Sequence, residues 1–139
     1  MPRELIIEAD GGSRGNPGES GSGAVVIDAA TGEILAEIGI YGGVASNNVA
    51  EYRGMIAGIR RALELDPDAV LTIRMDSKLV VEQMSGRWKI KHPAMAELAA
   101  EARQLLTGTP VQFVWIPREE NSRADRLANR AMDARADLP

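Results

Sequence analysis

An apolar run, Leu5-Ile6-Ile7, leads through Glu8 and Ala9 to Asp10 and then directly into Gly11-Gly12-Ser13-Arg14-Gly15-Asn16-Pro17-Gly18. This stretch limits the possible folds more than any other in the chain. A short apolar run bounded by turn residues reads as a buried strand. A carboxylate at the exit of such a strand stands at the edge of a sheet, where sites are commonly built. Gly11 and Gly12 carry no side chain, so something large can approach the backbone there. Taken alone, the stretch also fits a strand and a surface hairpin with Asp10 as an ordinary turn former.

The remaining pattern supplies partners for that strand. Gly21 to Asp28 reads as a second strand and Glu33 to Gly42 as a third, with short connections that make an antiparallel meander. From Val49 to Leu65, Tyr52, Met55, Ile56, Ile59 and Leu63 fall at helical spacing, and Asn48 with Glu51 fits a capping box that places Glu51 in the first turn. Asp66-Pro67 ends that helix. Val70 to Met75 is a fourth strand, delivered like the first to an aspartate, Asp76. A short helix over Ser77 to Met84, a basic loop over Ser85 to His92 and a helix from Pro93 to about Leu106 follow. Val111 to Ile116 is a fifth strand, with Trp115 expected in the core, and a last helix runs from Arg123 to about Arg135 with Asp125 in its first turn. This order predicts an α/β fold: a five-stranded mixed sheet, a three-strand antiparallel meander plus two further strands, flanked by helices.

Composition narrows the chemistry. The 139 residues suit one domain, read as residues 1–135 with a polar tail at 136–139. No apolar run reaches the roughly 20 residues of a membrane span, and no signal-peptide pattern opens the chain, so a cytoplasmic monomer with no membrane partner is expected. The absence of cysteine excludes disulfide partners, thiolate catalysis and thiolate-bound zinc, and a single histidine, His92, excludes histidine-rich metal sites. A net charge of −4 argues against a polyanionic partner, although two divalent cations would cancel it.

Four carboxylates stand out: Asp10 and Asp76 at strand ends, Glu51 and Asp125 in first helical turns. If the two strands are neighbours, all four converge at one end of the sheet. Packed carboxylates repel and raise one another's pKa, so such a cluster calls for cations, and hard oxygen ligands select Mg²⁺ or Mn²⁺. The chemistry this favours is phosphodiester hydrolysis with two ions roughly 3.5–4 Å apart and no protein nucleophile. Each acid also has a plainer role: Glu51 as half of a capping box, Asp125 complementing the helix dipole, Asp76 as a helix cap. A different reading makes Glu8 to Ser13 a distorted haloacid-dehalogenase phosphatase motif, but its nucleophilic aspartate would have to occupy position 8. Glu8 there places the attacking oxygen one methylene out of position.

Asp10 to Gly18, Asn47-Asn48-Val49-Ala50-Glu51, Asp76-Ser77 and Glu120 to Ala128 resemble, in order, the four signature blocks of type 1 ribonuclease H. The resemblance covers nearly the whole chain. It implies the ribonuclease H-like fold and cleavage of the RNA strand of an RNA–DNA hybrid to 5′-phosphate and 3′-hydroxyl ends. Asp10, Glu51, Asp76 and Asp125 would then be the ligands of two Mg²⁺ ions, with Mn²⁺ a substitute. It also implies hybrid contacts through Gly11, Gly12, Ser13, Asn16, Asn47 and Asn48. The amides suit 2′-hydroxyls because they both donate and accept. Ser46 aligns with a family threonine that holds a DNA-strand phosphate.

Two departures from the family pattern are visible. The loop before Asp125 is short and lacks the histidine many members carry, leaving Arg118 as the nearest candidate for part of that role. The longer basic handle of many bacterial relatives is reduced to Arg87-Trp88-Lys89-Ile90-Lys91, where Trp88 and Lys89, with Lys78 nearby, are candidate substrate contacts. A non-catalytic nucleic-acid-binding module on the same fold is the alternative from another functional class. Such modules commonly lose an acid, whereas all four are present here.

Overall fold

In the computed structural model, which describes residues 2–139, the apolar runs form five strands of one sheet. β1 (Glu4–Arg14), β2 (Gly18–Asp28) and β3 (Ile34–Ala45) make the antiparallel meander. β4 (Val70–Met75) and β5 (Val111–Trp115) add in parallel beside β1, giving the order β3-β2-β1-β4-β5. The helices are α1 (Asn47–Leu65), α2 (Lys78–Met84), α3 (Pro93–Leu105) and α4 (Ser122–Ala134), with a 3-10 turn at Arg118–Glu120 before the last. The mixed α/β sheet flanked by helices is thus the fold the sequence pattern implies. Among the described residues, no helix is long and apolar enough to cross a membrane.

Strand alternation sorts the layers. Leu5, Ile7 and Ala9 of β1 and Leu71, Ile73 and Met75 of β4 point to one face, where they meet Tyr52, Met55, Ile56 and Ile59 of α1 and the apolar sides of α2 and α3. The opposite face is thinner: Val25 and Ile27 of β2 pack with Leu127 of α4, joined by Ile6 and Leu138. Each large apolar side chain fully buried in this way contributes about 1.5–3 kcal/mol, so the α1 side carries most of the core. The α4 side relies instead on close backbone approach. A Cβ at Gly23 would lie 2.1 Å from the Ala124 carbonyl oxygen.

Four local expectations are corrected. β1 does not end at Asp10, because Gly11 to Arg14 continue it by pairing with Ser22 to Glu19 of β2, and the turn is confined to residues 15–17. The glycine at position 11 serves helix packing rather than a turn: a Cβ there would sit 2.2 Å from the Ala50 carbonyl carbon and oxygen. Glu51 lies in the second turn of α1, since Ser46 is the cap and accepts the Val49 amide at 3.2 Å, leaving no capping box with Asn48. Trp115 is not in the core. It is the last residue of an edge strand, 49% exposed, and its indole N–H donates to the Asp76 carbonyl at 3.1 Å.

Other boundaries match the sequence. Asp66 closes α1, Asp76 follows the last residue of β4, and His92 starts α3 by accepting the Ala94 amide through Nδ1. After α4 the chain turns onto β3. There the Leu138 amide donates to the Gly39 carbonyl at 2.9 Å, and Asp137 accepts the Tyr41 amide at the same distance.

Candidate metal centre

The sheet places two of the acids side by side. β1 and β4 pair in parallel up to Ala9 opposite Met75. The next residue on each chain is an aspartate, so Asp10 and Asp76 emerge together where β1 loses its parallel neighbour. Asp76 is not consumed as a helix cap, because Ser77 does that work by accepting the Val80 amide at 3.2 Å. The close contact of α1 with Gly11 brings Glu51 to the same point. One carboxylate oxygen from each of Asp10, Glu51 and Asp76 lies within 4.8 Å of the others. Asp125, in the first turn of α4, is not part of that tight triad but lines the same cavity of about 350 Å³.

The electrostatics show what this proximity costs without a cation. Burial, the Asp76 charge and Asp125 push Asp10 up to about 7, with a Glu51 hydrogen bond offsetting part of the rise. Burial and the Asp10 charge raise Glu51 well above the usual carboxylate range, and the Gly11 amide only partly offsets them. The Glu51 Oε2 atom is shielded from solvent and has no hydrogen-bond partner. A buried orphan oxygen beside two further carboxylates fits a hard divalent cation, which would supply the missing charge and take oxygen ligands.

A pH dependence follows. Because Asp10 holds its proton more tightly folded than unfolded, the metal-free protein loses this contribution to stability as pH rises from 3.8 to about 7. The effect is on the order of 2–4 kcal/mol at its full extent. Urea midpoints in chelator should therefore be higher at pH 5 than at pH 8, with Mg²⁺ restoring stability at pH 8. Equal midpoints at the two pH values in chelator would contradict the cluster's electrostatics.

Around the acids the candidate substrate residues separate into two sets. Gly11, Gly12, Ser13, Asn47 and Arg118 line the cavity with the four carboxylates. Asn16, Ser46 and Asn48 do not line it, but they adjoin Asn47 in the chain or by hydrogen bond. The Asn16 Oδ1 accepts the Asn47 amide at 3.1 Å, and the Asn47 Oδ1 accepts the amide and hydroxyl of Ser13 at 2.7 and 3.0 Å. These bonds fix the two asparagines while leaving their NH₂ groups without a partner among the described residues. Ser46 Oγ accepts within the cap and keeps its proton for donation.

Lys78, Trp88 and Lys89 are not brought into the cavity; all three are exposed, Trp88 at 46%. Their loop is nonetheless tied to the core. Buried Gln83 donates to the Lys89 carbonyl at 3.2 Å and accepts the Tyr52 hydroxyl at 2.7 Å.

The cavity also contains Arg14, Ala128, Asn129 and Met132, which the sequence reading did not single out. Helical spacing from Asp125 was the available signal, since positions 128, 129 and 132 share its face. Asn129 donates to the Asp125 carbonyl at 3.0 Å and its Oδ1 at 3.3 Å, and accepts from Arg14 at 3.4 Å.

Comparison with known proteins matches this architecture. Residues 8–131 fit a family model described as reverse transcriptase-like. The bifunctional protein Rv2228c of Mycobacterium tuberculosis is 54% identical over 134 residues, 96% of this chain but 36% of that protein. This chain therefore spans about a third of the length of its curated mycobacterial relatives. The solved amino-terminal RNase H domain of Rv2228c has a TM-score of 0.88 at 53% identity, covering 94% of this chain and 99% of that one. LC11-RNase H1, solved in complex with an RNA/DNA hybrid, has a TM-score of 0.89 at 40% identity, with 94% and 98% covered. RNase H1 of Halobacterium salinarum has a TM-score of 0.87 at 38% identity, with 96% and 99% covered. With four signature blocks in order, their acids gathered at one end of the sheet and these matches across nearly the whole length, the chain belongs to the type 1 ribonuclease H family.

Proposed function

We propose that this chain is a Mg²⁺-dependent endonuclease that hydrolyses the RNA strand of RNA–DNA hybrids, leaving 5′-phosphate and 3′-hydroxyl ends. The observation that carries the reading is the meeting of Asp10, Glu51 and Asp76 within 4.8 Å, with Asp125 on the wall of the same cavity. These four side chains would hold the ions. Bound there, two divalent cations would supply Lewis acidity at the phosphate and at a water. Mn²⁺, with the same preference for oxygen ligands, would serve in place of Mg²⁺.

The chain's own groups then select and orient the substrate. The bare backbone at Gly12 leaves room for a close approach, since a Cβ there would meet only Asn47 Oδ1 at 3.8 Å. The unpartnered NH₂ groups of Asn16 and Asn47 and the exposed amide of Asn48 suit 2′-hydroxyls in the wide minor groove of a hybrid. Ser13 stiffens this set through Asn47, and Ser46 offers its hydroxyl proton to a phosphate. Lys78, Lys89 and exposed Trp88 would engage the second strand, the lysines through phosphate and the indole against a sugar. As an exposed cation on the cavity wall, Arg118 orients the scissile region in place of a loop histidine. The unit acting is the single domain of residues 1–135, with Asp137 and Leu138 docked on β3, taken as a cytoplasmic monomer.

Arg118→Ala is expected to lower single-turnover cutting about tenfold or more while hybrid affinity stays within about threefold, the pattern of a group acting on the reacting centre rather than on uniform binding. Unchanged turnover would remove Arg118 from the mechanism.

A phosphatase built on position 8 is disfavoured by geometry. Both Glu8 oxygens accept from the Arg123 guanidinium, and the residue is 2% exposed, so it has no path to a substrate.

The test is a panel of labelled RNA–DNA hybrid, duplex DNA, duplex RNA and a small phosphoester, with Mg²⁺ and with chelator. Hybrid cutting that needs Mg²⁺ supports the reading. Hybrid binding without cutting would support a non-catalytic module, and turnover of the phosphoester alone a phosphatase.

A further inference from the structure

Glu8 sits two residues before Asp10 on β1, takes no part in the cavity and is one of the few buried charges in the chain. Its Oε1 accepts Arg123 Nε at 3.0 Å and its Oε2 accepts Arg123 Nη2 at 2.9 Å, a two-pronged pair. Arg74 Nη1 stands 3.9 Å from the same Oε2, and Arg74 Nη2 is 3.6 Å from Glu120 in the turn that leads to α4. Glu8 is thereby tied to α4 directly and to the turn before it through Arg74.

Two features of the α4 start do not serve the helix itself. Arg123 lies in the first turn, where a cation opposes the helix dipole. Asn121 occupies the cap position, at φ −117 and ψ 26, without giving a side-chain cap. Its amide group instead donates to the Ala9 carbonyl at 2.8 Å and to Asp76 Oδ1 at 3.2 Å. The start of α4 is therefore located by two tethers to β1, at residues 8 and 9, immediately before Asp10. A guanidinium paired through two parallel bonds fixes direction as well as distance.

We infer that Glu8 is a positioning residue: through Arg123 it sets the first turn of α4 and holds Asp125 over the Asp10, Glu51 and Asp76 cluster. The inference rests on the proposed role of Asp125 as an ion ligand and adds what keeps it in place. Asn129 completes the hold by bonding Asp125 from one turn further on.

The experiment titrates the full chain, without substrate, with Mg²⁺ and separately Mn²⁺, reading thermal unfolding and binding heat, and then measures kcat and KM on hybrid. Glu8→Gln keeps the shape of the side chain but removes its charge, and Arg123→Lys keeps charge but removes the fork. Both should raise the half-saturating cation concentration about tenfold and lower kcat by a similar factor, the usual size of an outer-shell effect, with KM on hybrid little changed. In an Asp125→Asn background, Glu8→Gln should add no further shift.

A Glu8→Gln protein that loses the same Tm at every Mg²⁺ concentration, with its midpoint unmoved, would make the pair a structural staple and overturn the inference. Should Glu8→Gln fail to fold, an Arg123→Lys protein with an unmoved midpoint overturns it equally. An Asp125→Asn midpoint equal to that of the parent would instead refute the role of Asp125, and the inference with it.

Discussion

Asp10→Asn is expected to cut hybrid about a thousandfold or more slowly than the parent, yet to be the more stable protein when metal is absent. The two effects share one cause. Asp10 contributes an oxygen to the triad and borders Asp125, so neutralising it removes the charge that would draw cations in. The same charge is held among like neighbours in a buried position, which is why Asp10 is pushed up to about 7. An amide does not ionise, so at pH 8 in chelator the variant escapes the cost of a buried charge among like neighbours, on the order of 2–4 kcal/mol in the parent. Single-turnover cutting should collapse while the urea midpoint in chelator rises and the stabilisation by Mg²⁺ shrinks. Stability gained where activity is lost is the mark of a group kept for function. A variant less stable than the parent in chelator at pH 8 would show that Asp10 holds the fold together instead.

The second large effect is expected at Gly11. An alanine Cβ there would stand 2.2 Å from the carbonyl carbon and oxygen of Ala50 and 2.5 Å from the Glu51 amide nitrogen. All three are backbone atoms of α1, so no side chain can swing aside. The helix must move, and it carries Glu51 with it. Gly11→Ala should destabilise by about 3 kcal/mol or more, at the upper end of overpacking effects, and should weaken Mg²⁺ binding as Glu51 leaves the triad. Gly12→Ala is the control: its Cβ meets only Asn47 Oδ1 at 3.8 Å, so its urea midpoint should match the parent's. Equal stability of the two variants would mean that α1 does not rest on β1 at position 11.

That contact also explains what could and could not be read from the amino acids. Strand and helix periodicity placed β4 and Asp76 to the residue, because an unbroken apolar run followed by a polar cap leaves little choice. In isolation Gly11-Gly12 looks like a turn, so the amino acids alone end β1 at Asp10. Pairing with Ser22 and Gly21 of β2 makes these glycines strand residues, and the approach of α1, from some 40 positions away in the chain, is what requires glycine at position 11. Three adjacent good capping residues, Ser46, Asn47 and Asn48, compete for the start of α1, and the bond from Val49 to Ser46 decides between them.

Trp115 shares a strand face with Phe113, as a core residue should. It ends an edge strand, however, and its indole settles against the Asp76 carbonyl instead of the core. Glu8 gave no local hint of burial because its partner, Arg123, lies 115 residues away. The convergence of the acids was legible for a different reason. Two aspartates that follow the paired residues Ala9 and Met75, once their strands lie in parallel, have no other place to go.

The central claim is that acids distant in the chain share hard cations at one end of the sheet. A crystal of the parent soaked in Mn²⁺ and measured for anomalous scattering tests it without reference to catalysis. Peaks bounded by Asp10, Glu51, Asp76 and Asp125 are the predicted result. A map with no peak among these side chains, at a Mn²⁺ concentration that supports hybrid cutting, would contradict the account.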